Sequence, residues 1–181
     1  MRRLVLLALA ALSFSLRAGA EENRLALAVK AAYLVKFEPF VSWPASSFPD
    51  TGSPFTLCVA APDPFGPVLD RAADGMSIQN RPVLVRRLTD GAAADGCQML
   101  FAASPDPRVL HRALDSVRGR PVLTVTDSAP GDGERGMINF MVIDDRVRFT
   151  IDDDAAALSG LAISSKLLSL AVSVRHAETK E

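Results

Sequence analysis

Between Glu22 and Val41 the apolar residues Leu25, Ala28, Val29, Ala32, Val35 and Phe40 recur mostly three or four positions apart. That spacing predicts an amphipathic helix. Leu27, Leu34, Phe37 and Val41 widen its apolar face, which implies burial on more than one side. Two readings follow: an ordinary core helix, or a helix whose face also packs on a second copy or a partner. On the second reading Leu27, Leu34, Phe37, Val41 and Trp43 form the candidate partner or dimer surface. Pro39 should kink or end the helix, and Trp43-Pro44 should close it, because a residue before proline disfavours the α conformation.

The pattern then changes to short, continuous apolar runs. Phe55 to Ala60, Val83 to Val85, Cys97 to Ala102 and Pro121 to Val125 read as buried strands. Between them lie a short helix over Val68 to Ala73, a helical fragment over Ala92 to Ala94, and a helix opening at Pro107. Asp106 caps that last helix, Val109, Leu110, Ala113, Leu114 and Val117 give it an apolar face, and Gly119 ends it. Pro62 to Pro67 is turn chemistry. Alternation of helices with continuous apolar strands predicts an α/β fold, a mostly parallel central sheet flanked by helices on both faces. The end of the chain departs from this. Met137 to Ile143 and Arg146 to Ile151, joined by Asp144-Asp145, read as a C-terminal β-hairpin, and Ser165 to Val174 as a final helix.

The N-terminus belongs to neither pattern. Arg2-Arg3 precedes an uncharged run, Leu4 to Leu16, and Ala18-Gly19-Ala20 follows. This reads as a secretory signal peptide over residues 1–20, cleaved after about Ala20, too short to span a bilayer. The domain organisation is then 1–20 signal peptide and 21–181 a single domain. Cleavage removes Arg2, Arg3 and Arg17, so the formal net charge moves from −1 for 181 residues to −4. No basic excess supports a nucleic-acid partner, and no later run is long enough to cross a membrane.

Export changes the reading of the cysteines. The even pair Cys58 and Cys97 reads first as a disulfide in an oxidising compartment, with two buried reduced cysteines as the alternative.

Catalytic signals are weak. Gly131, Gly133 and Gly136 form a glycine-rich loop that leads into a strand, not a helix, so it lacks the support of a phosphate-binding turn. Asp152-Asp153-Asp154 reads as a helix N-terminus rather than a cation site. His111 and His176 have no recognisable catalytic partner, and no G-x-S-x-G motif is present. Ser164, Ser165 and Lys166 open the last helix and are the candidate ligand-binding residues, since capping serines and a lysine there could hold an anion. Arg81, Arg86, Arg87, Arg118 and Arg120 read as a solvated rim. No cofactor, metal or enzymatic activity is expected.

Several segments together resemble one family: Lys30 to Phe37 with Phe40-Val41-Ser42-Trp43-Pro44, Phe55 to Val59 with Asp63-Pro64-Phe65-Gly66, Asn80 to Leu88, Cys97 to Phe101, Gly136-Met137-Ile138-Asn139-Phe140, and Arg148 to Ile151 with Ile163 to Leu168. In this order they are similar to the YfiR family of exported bacterial proteins over nearly all of the chain after residue 20. The resemblance implies a periplasmic α/β protein that forms homodimers and represses an inner-membrane diguanylate cyclase through its periplasmic part. Cyclic di-GMP, and with it biofilm formation, then rises when repression is lifted. It further implies that the pair mapping to Cys58 and Cys97 forms a disulfide. A second cysteine pair, known in some members, is absent. The alternative function is a periplasmic small-ligand binding module that feeds a transporter or sensor kinase, using the crevice at the strand carboxyl ends.

Overall fold

A computed structural model describes residues 21–89, 92–128 and 133–176. The signal peptide reading, and Gly131 of the glycine-rich loop, lie outside the described residues.

The first helix, α1, covers residues 21–37 and runs into a 3-10 turn at Glu38–Phe40. Proline at position 39 lacks the N–H that a continuing helix needs, so the break falls where the sequence places it. A short strand β1 (Val41–Ser42) follows, then β2 (Phe55–Val59), α2 (Pro67–Ala73), β3 (Ser77–Ile78) and β4 (Arg81–Arg87). Next come β5 (Met99–Ala102), α3 (Pro107–Asp115), β6 (Leu123–Asp127), β7 (Ile138–Ile143) and β8 (Arg146–Asp152). The chain closes with α4 (Asp153–Leu158), β9 (Ala162–Ile163), α5 (Ser165–Leu168) and β10 (Val174–Arg175).

Eight strands form one sheet in the order β10-β8-β7-β6-β5-β2-β4-β3, and β1 pairs antiparallel with β9 in a separate ribbon. From β4 to β7 all neighbours are parallel. Antiparallel pairs β3–β4 and β7–β8 flank that block. This is the expected α/β architecture. The chain moves outward from β2 to β4, then returns to the other side of β2 to start β5. The strand order therefore reverses between β2 and β5, a topological switch point.

Strand alternation sends side chains to two unequal cores. Phe55, Leu57 and Val59 of β2, with Met99, Phe101, Leu123, Val125, Ile138 and Phe140, join the large core beneath α1, α2, α4 and α5. Tyr33 and Phe37 of α1 stack there, and Phe149 meets both rings edge-on. The opposite residues, Cys58, Ala60, Leu100 and Ala102, form a smaller core under α3 and the segment before Cys97.

Three readings are corrected. Residues 92–94 are not helical. Three residues ahead of Gly96, whose φ is +72°, cannot complete an i→i+4 turn, and Arg120 holds the Ala94 carbonyl instead. The last helix stops at Leu168, because the open edge of β8 takes the backbone beyond it. Val172 N–H donates to the Phe149 carbonyl, Ile151 N–H to that of Ser173, and Val174 aligns with Ile151. Cys97 and Gln98 precede β5 rather than lying in it. Arg87 and Arg118 are solvent-exposed, and the arginines are also paired: Arg87 binds Asp63 and Asp70, Arg81 binds the Asp50 and Ser53 carbonyls, and Arg120 binds Asp95.

The hairpin follows its sequence signal. Asp144 and Asp145 both take positive φ, +48° and +58°, as a tight two-residue turn requires. Asp106 caps α3 by accepting from Arg108 N–H, and Asp152 caps α4 by accepting from Ala155 N–H.

Candidate functional site

At the switch point, the carboxyl ends of β2, β5 and β6 open into a crevice of about 640 Å³. Pro62, Asp63 and Pro64 after β2 form one wall; Ser104 and Pro105 after β5, with Pro107 and Leu110 of α3, form the other. Asp127 and Ser128, at the end of β6, lie at its base. Proline fixes φ and lowers the freedom of both walls, so the crevice is shaped before anything enters.

Its two carboxylates are held from behind. Lys30, on α1 and only 8% exposed, places Nζ 2.6 Å from Asp127 Oδ2. Arg87 donates from Nε to Asp63 Oδ2 at 2.8 Å, while Asp63 Oδ1 accepts from Phe65 N–H at 2.7 Å. The same guanidinium binds both oxygens of Asp70 and holds that carboxyl below its ordinary range. Neither Lys30 nor Arg87 lines the crevice.

The disulfide lies in the smaller core, on the α3 side of the sheet. Cys58 Sγ and Cys97 Sγ are bonded, with Cα atoms 5.9 Å apart. The bridge ties the centre of β2 to the segment entering β5, across the same switch point. Arg86 Nη2 lies 3.0 Å from Cys97 Sγ and also binds the Asp95 carbonyl.

The segments behind the family resemblance prove largely structural. Trp43 donates from Nε1 to the Gln98 carbonyl at 3.0 Å and meets Phe55 edge-on. Gln98 accepts from Thr56 N–H and donates to the Ser47 carbonyl. Asn139 is 1% exposed and makes four hydrogen bonds, to Thr126, Ser128 (twice) and Phe140. Gly136 runs so close to β6 that a Cβ would lie 2.7 Å from the Thr124 carbonyl oxygen.

The predicted site residues are dispersed. Ser164 accepts from Leu167 N–H as a cap, and Ser165 and Lys166 are exposed on a four-residue helix; none of the three lines the crevice. Leu34, Phe37 and Val41 are enclosed in the chain's own core, whereas Leu27 and Trp43 are half-buried. His111 and His176 are exposed beside Glu134 and Asp153. Among the described residues, no group of three metal-ligating side chains comes together and no helix is long and apolar enough to cross a membrane. Sequence reasoning missed Lys30, Asp127 and Asp63 because each looks like an ordinary surface charge. The signal available was that Lys30 interrupts an apolar helix face.

One further carboxyl stands apart. Glu38 is 2% exposed, and burial pushes its pKa up to about 7.

A family model described as YfiR/HmsC-like matches residues 27–172. No curated protein matches the chain.

Proposed function

The chain belongs to the YfiR/HmsC-like family, and from that premise we propose that it is an exported, non-enzymatic regulator that represses an inner-membrane diguanylate cyclase. The observation that carries this reading is the family match across residues 27–172, which spans every strand of the main sheet except β10. The leader-like residues 1–20 support export to the periplasm, and the disulfide suits that oxidising compartment.

The mechanism is a shift of population. A repressor holds its target inactive only if it binds the inactive conformation of the cyclase's periplasmic region more tightly than the active one. Turning a 1:99 mixture into 99:1 takes about 10⁴-fold preference. Leu27 and Trp43 remain available to border such a contact, or one with a second copy.

Deleting the gene in a strand that keeps its cognate cyclase should raise cyclic di-GMP and biofilm mass. Unchanged levels would overturn the proposal. N-terminal sequencing of the periplasmic protein should begin near Glu21. The second reading, a small-ligand binding module, is favoured by the crevice at the switch point.

A further inference from the structure

We propose that the crevice between the β2 and β5 loops binds a small organic cation: an ammonium group carried on an apolar or aromatic body. The position is where open parallel sheets take ligands, at the carboxyl ends of strands where their order reverses. Its volume, about 640 Å³, is within the range of small-molecule sites. Four prolines and Leu110 present an apolar surface on loops that lose little entropy when they close on a guest.

Charge decides the class. Among the described residues, the charged side chains lining the crevice are Asp63 and Asp127, both acidic. Their cationic partners reach them from outside it. Asp63 has both oxygens engaged, by Phe65 N–H and Arg87. Asp127 uses Oδ2 for Lys30, and among the described residues its Oδ1 has no partner. At 27% side-chain exposure, Asp127 can offer that oxygen to an incoming ammonium. A charge-assisted bond of this kind is stronger than a neutral one. An anionic ligand would meet both carboxylates with no cation among the described lining residues to receive it.

The proposal is independent of the repressor reading, since a ligand-released repressor and a ligand-delivering module would both use this site. The test is a titration of ¹⁵N-labelled protein followed by NMR. Phenethylamine is the probe and 3-phenylpropanoate, of similar shape and opposite charge, is the control. A fragment of this size should bind with a Kd of about 1 mM, shifting the amides of Ser104, Asp127 and Ser128 saturably. The carboxylate should bind at least about tenfold more weakly. Asp127→Asn should weaken the amine by a similar factor, and Ser104→Trp, which fills the mouth and leaves the Lys30 pair intact, should abolish binding. Absence of saturable shifts, shifts confined to other surfaces, equal binding of the carboxylate, or full binding by a folded Ser104→Trp protein would each overturn it.

Discussion

Asn139 Oδ1 accepts a hydrogen bond from Thr126 Oγ1 at 2.7 Å, between two parallel strands, where both side chains are buried. The same amide binds the backbone of Ser128 through both its oxygen and its nitrogen. It thereby fixes the path by which β6 leaves the sheet, one residue after Asp127. A polar side chain inside the sheet is tolerable because all its groups are satisfied.

Removing that amide should therefore cost more than one hydrogen bond. Asn139→Ala leaves the Thr126 hydroxyl hydrogen without its acceptor and the Ser128 backbone without its side-chain partners, in a site with little water. The expected loss is about 2–4 kcal/mol in urea unfolding. A loss below about 0.5 kcal/mol, the scale of a neutral surface change, would contradict it.

The disulfide should contribute on a similar scale. Cys58 and Cys97 are separated by 39 positions, and closing a loop of that length removes about 4 kcal/mol of chain entropy from the unfolded state. The double variant Cys58→Ala, Cys97→Ala should lose about 2–4 kcal/mol relative to the oxidised protein. Reduction of the native protein should lower its Tm likewise.

Gly136 is constrained by space. Its own N–H donates to Thr126 Oγ1 at 2.9 Å, which draws it against β6. The atom that a Cβ would strike is backbone, the Thr124 carbonyl, so the neighbour cannot rotate away. Gly136→Ala should cost about 1–3 kcal/mol through overpacking. Thermal unfolding checks this, with Gly133→Ala on the exposed loop compared for its left-handed backbone alone.

Glu38 gives the protein a pH dependence of stability. Its folded pKa, about 7, lies above the ordinary 4.5. Between these values the folded state holds a proton that the unfolded state has lost, so stability falls as pH rises from about 4.5 through 7. At about 1.4 kcal/mol per pH unit, the difference between 4.5 and about 7 is worth up to about 3 kcal/mol. Glu38→Gln should flatten that segment of the pH profile and stabilise the protein at pH 8 by about that amount. An unchanged slope would show that the carboxyl stays ionised in the fold.

Local pattern carried most of the architecture. Period-3.6 spacing and Pro39 set the end of α1, continuous apolar runs set β2 and β5, and Asp144-Asp145 set the hairpin turn. These depend on interactions between residues a few positions apart, which a single sequence displays. The two-residue strands β1, β3, β9 and β10 left no such trace, since each exists only because another strand's edge is there to bond it. The site was legible to the same degree. Turn chemistry around Pro62 to Pro67 and the cap at Asp106 marked its walls, and the cysteine pair was readable once export was inferred. The crevice itself arises because strand order reverses between β2 and β5. The pairing of Lys30 with Asp127, 97 positions apart, likewise depends on α1 crossing the end of β6. Sequence by itself determined the elements, the caps and the available chemistry. Only the tertiary structure decided which charges meet, because sheet order and helix docking minimise exposed apolar area over the whole chain, and that is not a property of any local segment.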